Sequence, residues 1–221
     1  MSQTSKALIW RDRSVPVSVA FDDPYYSMDD GLAEARHVFL AGNGLPARFR
    51  PGLHIAELGF GTGLNLLAVA DLWRAAGAPG KLRYTSFEQF PLSAEEAHRA
   101  QEPFEELRDL ADLFAPIWRG QPLDLEWIEV SLIIGDARAT LPAWQGHADA
   151  WFLDGFSPAK NPELWEPALM AEVANHTAPG GTFATYSAAS AVRGALEGAG
   201  FDVERVQGFG RKKHMTRGTL R

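Results

Sequence analysis

A glycine-rich stretch in the first third of the chain constrains the fold more than any other feature. Residues 54–70 read HIAELGFGTGLNLLAVA, an apolar run followed by Gly59, Gly61 and Gly63 and then by leucines and alanines at helical spacing. This pattern predicts a short buried strand over His54–Leu58, a tight turn and a helix. Because glycine lacks a Cβ, such a turn lets the backbone approach a ligand closely. The stretch therefore predicts a nucleotide-type cofactor site.

The residue ahead of the glycines indicates the charge of that cofactor. In a dinucleotide site a pyrophosphate lies at the helix N-terminus. Here the pattern is E-x-G-x-G-x-G, and the carboxylate of Glu57 would repel a phosphate and attract a cation. S-adenosyl-L-methionine carries an ammonium and a sulfonium group, so it fits. We expect Glu57, the three glycines and Asn65 in the first helical turn to bind it; the alternative is a plain strand-to-helix turn.

Two further acidic residues follow predicted strands. Glu88 ends a strand predicted over residues 81–88, and Asp136 follows one predicted over about residues 125–134. In Rossmann-like sheets an acid at the end of the second strand accepts hydrogen bonds from the ribose hydroxyls. Asp136 would accept the adenine amino group, although as a single residue it is equally explained as a helix N-cap. Three acids at three successive strand ends favour the cofactor site.

Composition excludes several classes of protein. The 221 residues are 46% hydrophobic, which suffices for the core of one α/β unit. A net charge of −7 argues against general affinity for nucleic acid. The absence of cysteine excludes disulfides, thiolate zinc sites and a thiol nucleophile. Neither a metal-ligand spacing nor an apolar run of signal-peptide or membrane length is found, so we expect a cytoplasmic protein without a metal or a membrane partner.

The loop after a strand predicted over residues 149–153 is the best candidate for chemistry. It reads DGFSPAKNP, and its glycine and two prolines make it stiff enough to hold a side chain in place. Methyl transfer to an amine requires a neutral nitrogen held in line with the methyl group. Asp154 would accept the N–H groups and the proton, and Phe156 would stack on a planar base. The alternatives are a turn-forming aspartate and a core phenylalanine.

The remaining segments complete one globular unit. We expect an S-adenosyl-L-methionine-dependent methyltransferase domain over residues 54–221, and an N-terminal extension over residues 1–53 that serves either as a lid or, at FDDPYYSMDDGL, as a solvated helix cap. The basic tail, residues 208–221, is predicted to contact a polyanion, with Arg48 and Arg50 extending that surface; the alternative is a tail that only increases solubility. The other predicted elements are helices over residues 32–40, 164–177 and 188–198, helical pieces broken by Pro103 and Pro116, a turn at APGG, and strands over residues 182–186 and 201–206.

Five segments together resemble the methyltransferase domain of the MnmC family. They read ELGFGTGLNLL, SFEQFPL, DAWFLDGFSPAKNPELW, ATYSAASAVRGALEGAGF and GFGRKKHM, and the likeness spans most of the chain. The resemblance implies a Rossmann-like fold, with a mostly parallel sheet and helices on both faces. It also implies methylation of the aminomethyl group of 5-aminomethyl-2-thiouridine, or of its unthiolated form, at the tRNA wobble position, with S-adenosyl-L-methionine as the methyl donor.

The resemblance assigns roles to named residues. Glu57, Gly59, Gly61, Gly63, Glu88 and Asp136 would hold the cofactor, Asp154 and Phe156 would face the uridine, and Lys160, Arg211, Lys212 and Lys213 would contact RNA. Bifunctional members carry a fused FAD-dependent oxidase that this chain cannot house, so a separate oxidase would supply the aminomethyl group unless the chain is a fragment. Two alternatives stay open: a methyltransferase for a free small-molecule amine, and a non-catalytic module that binds S-adenosyl-L-methionine.

Overall fold

The central sheet brings the acidic strand ends to one edge. A computed structural model of the chain describes residues 7–11 and 15–221, so the predicted extension lies outside the described residues at 1–6 and 12–14. The described residues form a small antiparallel sheet and an eight-stranded, mostly parallel sheet. The predicted α/β fold is therefore confirmed.

The strands alternate with helices along most of the chain. In chain order they are β1 (Leu8–Arg11), β2 (Val15–Ser18), β3 (Asp23–Pro24), β4 (His54–Leu58), β5 (Leu82–Glu88), β6 (Leu123–Asp124), β7 (Ile128–Ile134), β8 (Ala148–Leu153), β9 (Thr177–Thr185), β10 (Phe201–Gln207) and β11 (His214–Leu220). The first three form the small sheet, and the large sheet has the order β10-β11-β9-β8-β4-β5-β7-β6. Strands β9, β8, β4, β5 and β7 are parallel, whereas β6, β10 and β11 pair antiparallel with their neighbours.

Some of the helices begin at a residue whose side chain caps them. Asp30 accepts a hydrogen bond from the Ala33 amide at the start of the first helix, and Ser93 forms a capping box with Glu96 at the start of the third. The helices are α1 (Gly31–Ala35), which continues as a π-helical turn (Arg36–Leu40), α2 (Leu64–Ala75), α3 (Ala94–Gln101), α4 (Arg108–Phe114), α5 (Ala137–Ala143), α6 (Pro167–Asn175) and α7 (Ser190–Gly198). Short 3₁₀ turns cover Ala41–Asn43, Glu105–Leu107, Ala115–Arg119 and Pro162–Trp165.

Both faces of the large sheet are covered by helices, as predicted. Alternate residues of a strand point to opposite faces, and β8 shows this with Trp151 on one side and Phe152 on the other. Phe152 packs in the cluster that includes α1, α2 and α4, whereas Trp151 packs in the cluster that includes α5, α6 and α7. Both rings are fully buried, and each such side chain stabilises the fold by about 1.5–3 kcal/mol.

Several predicted boundaries are wrong by a few residues. The third parallel strand begins at Ile128 rather than near 125, because the chain first pairs antiparallel through β6. The helix predicted over 164–177 is interrupted by the extended Glu166, and α6 begins at Pro167. The APGG segment, predicted to be a turn, lies inside β9 as an irregularity between the pairings of Thr177 and Thr182 with β8.

The basic tail is the largest error in the predicted fold. Residues 214–220 form β11, which lies between β10 and β9 within the sheet. Met215 and Thr216 are buried, and Arg217 lies directly opposite Glu204 of β10, with which it forms an ion pair at 3.0 Å. The second half of the predicted basic tail is therefore a strand. The part of the tail that precedes this strand and can serve as a basic surface is the turn over residues 208–213.

Candidate functional site

The site lies at the carboxyl ends of the parallel strands. Strand β4 is flanked by β5 on one side and by β8 on the other, so the strand order reverses at β4. Ligands of open α/β sheets bind in the crevice at such a switch point. The loops that follow Leu58, Glu88 and Leu153 meet there, and two of these loops carry the predicted glycines and the predicted Asp154 and Phe156.

The glycines of the turn have different tasks. Gly59 has φ +82°, and a Cβ on it would lie 3.0 Å from the backbone of Gly155, so glycine allows the β4 and β8 loops to touch. Gly63 has φ +72° and begins α2, and a Cβ there would lie 2.6 Å from the Trp118 ring. Gly59 and Gly61 line a cavity, whereas Gly63 lines neither of the two cavities described below. The prediction that Gly63 contacts the cofactor therefore does not fit its position, which is one of packing.

A chain of polar side chains runs from the interior to the cavity. Ser86, which lies opposite Glu57 in the β4–β5 register, donates to Glu57 Oε2 at 2.7 Å. Asn65 Nδ2 donates to Glu57 Oε1 at 2.9 Å and to Asp154 Oδ2 at 2.8 Å. The Gly155 amide donates to Asp154 Oδ1 at 2.8 Å. Both carboxylates are thus held by fixed donors, and Asn65 joins them.

Burial shifts the titration of both acids. Burial raises the pKa of Glu57 to about 8, against the lowering effect of its hydrogen bonds from Ser86 and Asn65. Burial likewise raises the pKa of Asp154 to about 7, against the lowering effect of the Gly155 amide and of Asn65. Asp154 lines a cavity, so a carboxyl that titrates near neutral pH faces open space at this edge of the sheet.

Glu57 occupies a different place from the one predicted. Its side chain is fully buried and lines neither cavity, so a direct contact with a cationic cofactor does not fit. The carboxylate instead lies behind Asn65, which does line a cavity. The glutamate of the pattern E-x-G-x-G-x-G thus supports the wall of the cavity from behind and does not itself form that wall.

Two cavities share the glycine turn and the β8 loop. The strand-end cavity, of about 300 Å³, lies over the ends of β5 and β7, and the arm cavity, of about 270 Å³, lies between the glycine turn and residues 23–39. Tyr25, Gly59, Glu88, Gly155 and Phe156 line both. The two cavities therefore meet at the β8 loop, as a site for two ligands requires.

Glu88 and Asp136, the two predicted ligands of the ribose and the adenine, line the strand-end cavity. Glu88 accepts hydrogen bonds from the amides of Gly61 at 3.0 Å and Phe90 at 2.8 Å. Asp136 is the N-cap of α5 and forms an ion pair with Arg138 at 2.7 Å, and hydrogen bonds from Arg138 hold its pKa below the usual value. The N-cap alternative for Asp136 is therefore realised, and its contact with a cofactor stays a prediction.

Phe156 is already engaged by aromatic side chains of the N-terminal segment. Phe21 stacks on it at a centroid distance of 4.5 Å, and the edge of Tyr25 meets it at 5.0 Å. Asp23 accepts a hydrogen bond from the Ser157 amide at 2.8 Å and so ties the same loop to this segment. Stacking of a base on Phe156 stays a prediction. The assignment of residues 1–53 as a lid stays a prediction.

The predicted basic contacts divide into two groups. Lys160 donates to the Asp22 carbonyl and lies 3.7 Å from the Asp23 carboxylate, so it links the β8 loop to the N-terminal segment. Lys212 lines the arm cavity and lies 2.9 Å from Glu34. Arg211 and Lys213 are exposed, and Arg211 is 3.6 Å from the exposed carboxylate of Asp29. Only Arg211 and Lys213 therefore have the position expected for contacts with a polyanion.

Arg48 and Arg50 do not extend that surface. Arg48 donates to Thr182 Oγ1 and to the Asp149 carbonyl, and Arg50 forms an ion pair with Asp149 at 2.8 Å. Because Asp149 lies at the beginning of β8, both arginines are at the edge of the sheet opposite the cavities. They serve the fold there.

Tyr186 and Glu34 are among the residues of the arm cavity that the sequence did not predict. Tyr186 follows β9, and its hydroxyl donates to the Gly155 carbonyl at 2.8 Å. Its place after a strand was a usable signal, because strand ends line the ligand edge. Glu34, in the first turn of α1, gave no such signal, since an acid there is ordinary.

Within the part of the chain that the structure describes, no group of three or more histidines and carboxylates is arranged to hold a metal ion. Over the same residues, no helix combines the length and apolarity that crossing a membrane requires.

Comparisons with known proteins agree with this geometry. Residues 102–221 match the family model described as S-adenosyl-L-methionine-dependent methyltransferase. Two relatives named "tRNA 5-methylaminomethyl-2-thiouridine biosynthesis bifunctional protein MnmC" are 45% identical over 95% of this chain (Caulobacter sp. strain K31) and 39% identical over 100% of it (Chromobacterium violaceum). The chain spans only 37% and 35% of their lengths.

Solved structures show the same fold. MNMC2 from Aquifex aeolicus superposes with a TM-score of 0.81 and 26% identity, covering 99% of this chain and 72% of that one. DesVI from Streptomyces venezuelae superposes with a TM-score of 0.50 and 14% identity, covering 86% of this chain and 92% of that one, which is a likeness of fold alone.

Proposed function

Because the chain belongs to the family of S-adenosyl-L-methionine-dependent methyltransferases, we propose that it methylates the aminomethyl nitrogen of 5-aminomethyluridine, or of its 2-thio form, at the tRNA wobble position. The resemblance to MnmC methyltransferase domains, predicted from the five segments, is confirmed by relatives of that name. The names of these relatives refer to tRNA. That tRNA is the substrate of this chain, and that the chain methylates it, are both part of the proposal. The upstream FAD-dependent oxidase and the cytoplasmic location belong to it as well.

The strand-end cavity fits the methyl donor. Gly59 lines this cavity, and Glu88 and Asp136 present carboxylate oxygens that accept from hydroxyl and amino groups. When bound, S-adenosyl-L-methionine supplies an electrophilic methyl group. Glu88 would hold the ribose and Asp136 the adenine, while Asn65 and the glycine turn would hold the amino acid part. Glu57 keeps the Asn65 amide in place from behind.

One observation carries the proposal: Asp154 lines the arm cavity, and it directly precedes Gly155 and Phe156, which line both cavities. An aminomethyl group enters the reaction as the neutral amine, and it must lose a proton to be neutral. Asp154, with its pKa raised to about 7, is matched to accept that proton near neutral pH. Asn65 and the Gly155 amide fix both of its oxygens, so it also orients the amine.

The decisive experiment incubates the protein with labelled S-adenosyl-L-methionine and tRNA from cells that make aminomethyluridine but cannot methylate it, followed by nucleoside analysis. We expect label in methylaminomethyluridine. For Asp154→Asn we expect kcat to fall by at least ~100-fold with cofactor affinity nearly unchanged, because the amide keeps the shape of the side chain but cannot take up the proton.

The matched control is Asp202→Asn, which makes the same change at an exposed site on β10 that pairs with Arg221. It should leave both quantities unchanged. A wild-type rate in Asp154→Asn would refute the catalytic role, and loss of cofactor binding would make Asp154 a cofactor ligand. Cofactor binding without any labelled nucleoside would favour a free amine substrate or a non-catalytic module.

A further inference from the structure

The arm cavity contains an ion pair that methyl transfer itself does not require. Lys212 Nζ lies 2.9 Å from Glu34 Oε1 and 4.1 Å from the centre of the Tyr186 ring. Both charged residues line the arm cavity together with Asp154. The Lys212 charge lowers the pKa of Asp154 and the Glu34 charge raises it, so both groups lie within electrostatic range of the carboxyl.

The position of Lys212 is unusual for a lysine in an exposed turn. Its side chain is 47% exposed, so an ion pair alone would stabilise this geometry only weakly. The Tyr186 ring beneath it adds a cation–π contact, and the Tyr186 hydroxyl is anchored to the Gly155 carbonyl. Glu34 is 11% exposed and held on α1. The Lys212 ammonium and the Glu34 carboxylate are thus both held in fixed positions relative to the loop that carries Asp154.

Resting on the proposed function, we propose that Glu34 and Lys212 recognise the pyrimidine edge of the target base and so select uracil over cytosine. An ammonium only donates hydrogen bonds and a carboxylate only accepts them. Uracil presents a carbonyl acceptor at C4 beside an N3–H donor, and this matches Lys212 beside Glu34. Cytosine presents an amino donor at C4 and a bare acceptor at N3, which would face the ammonium and the carboxylate with the wrong polarity.

The chemistry of the substrate places this edge near Asp154. The aminomethyl group is attached at C5, and C5 is bonded to C4. A base whose amine reaches Asp154 therefore brings its C4 carbonyl into the same cavity, which Glu34 and Lys212 also line. One good pair of hydrogen bonds to a base edge discriminates by roughly 10- to 100-fold, and opposed polarity increases the penalty.

The test compares three synthetic anticodon stem-loops that carry, at the wobble position, 5-aminomethyluridine, 5-aminomethylcytidine or N3-methyl-5-aminomethyluridine. We expect the wild-type kcat/KM for the first to exceed that for each of the others by at least ~10-fold. Glu34→Gln should reduce both preferences, since a glutamine amide can donate as well as accept. Lys212→Met should reduce the preference over cytidine.

Lys213→Met is the matched control, because it removes the neighbouring charge from the same turn but lies outside the arm cavity. It should change the affinity for all three stem-loops alike and leave their ratios unchanged. A purely structural role of the ion pair would lower stability and all three rates together, also without changing the ratios.

The outcomes separate this inference from the proposed function. If the wild type does not methylate the uridine stem-loop, the proposed function fails. If it methylates the uridine stem-loop and accepts the cytidine and N3-methyl stem-loops equally well, only the inference is overturned. Should one variant fail to fold, as judged by its thermal midpoint, the ratios of the other variant decide whether the ion pair sets the preference.

Discussion

Asn65 joins the carboxyl groups of Glu57 and Asp154. Its amide donates to Glu57 and to Asp154, at 2.9 Å and 2.8 Å. Burial raises the pKa of Glu57 to about 8 and the pKa of Asp154 to about 7. Of the two, Asp154 lines the arm cavity, so its carboxylate is the one that the proposed substrate amine can reach.

Glu57 also makes the stability of the fold depend on pH. Its pKa is raised by burial from 4.5 to about 8, so between these values the native state retains a proton that the unfolded chain has released. The free energy of unfolding then falls as the pH rises, by up to about 1.4 kcal/mol per pH unit for one such group. We predict that Glu57→Gln loses less thermal stability than the wild type between pH 5 and pH 8.

The measurement is the thermal midpoint of both proteins at several pH values. The glutamine side chain of this variant keeps an oxygen for the Asn65 amide, so the fold should be retained. The pKa of Asp154 is raised in the same direction. Because Asp154 is present in both proteins, its contribution to the pH dependence cancels when the two curves are compared. Glu197→Gln, which removes an exposed carboxylate on α7, should follow the wild-type curve. Parallel curves for Glu57→Gln and the wild type would show that Glu57 is not buried as described.

At the scale of elements, β11 is what places Lys212. The strand lies between β10 and β9 and runs antiparallel to both, so the turn before it lies at the ligand edge of the sheet. Gly218 in β11 packs against the sheet and against Phe183: a Cβ there would lie 2.4 Å from the Asp202 carbonyl and 2.5 Å from the Phe183 ring. The tail is thus an integral part of the core.

This packing predicts that Gly218→Ala destabilises the protein. The added methyl group would meet backbone atoms that cannot move without disturbing the strand pairing, so we expect a loss of about 1–3 kcal/mol in the free energy of unfolding. Chemical denaturation followed by circular dichroism measures it. Gly194→Ala is the control, because it adds the same methyl group on α7, where no atom lies within 4 Å.

In the helix, alanine is preferred over glycine by up to about 1 kcal/mol, so Gly194→Ala should be neutral or stabilising. If the two variants were equally stable, β11 would not pack as described, and the position of Lys212 would lose its structural basis.

At the scale of the whole molecule, the negative net charge must be reconciled with the proposed tRNA substrate, which is a polyanion. The net charge is −7, and several basic residues are paired with acids on the surface of the sheet or at its opposite edge. Arg211 and Lys213, in the turn before β11, remain exposed near the arm cavity. Binding of tRNA should therefore involve few ionic contacts and depend on salt through this small area.

We predict that neutralising Arg211 and Lys213 together weakens tRNA binding and flattens its salt dependence. Each lost phosphate contact should reduce the slope of log affinity against log salt by about 0.7–0.9. Fluorescence anisotropy of labelled tRNA at several salt concentrations gives both quantities. Neutralising Arg205, an exposed residue on β10, is the control and should leave the slope unchanged. An unchanged slope in the double variant would exclude the turn as an RNA contact.

Local patterns in the sequence determined the parts of this protein that depend on neighbouring residues. The glycine turn, β4 and α2 were predictable, since apolar periodicity and glycine spacing act over a few residues. The same holds for Glu88, Asp136 and Asp154, which follow strands and therefore reach the ligand edge. The family resemblance was predictable because it rests on contiguous segments.

The tertiary structure alone decided which side chains line the two cavities and which lie behind the lining residues. Glu57 and Gly63 belong to the predicted motif, yet burial and packing against Trp118 remove them from the cavities. Strand β11 could not be predicted from its charged sequence, because Arg217 lies opposite Glu204 only when the sheet has formed. Glu34 and Lys212 are 178 residues apart in the sequence and meet only through the fold. Contacts of this kind depend on long-range pairing, which local periodicity does not encode.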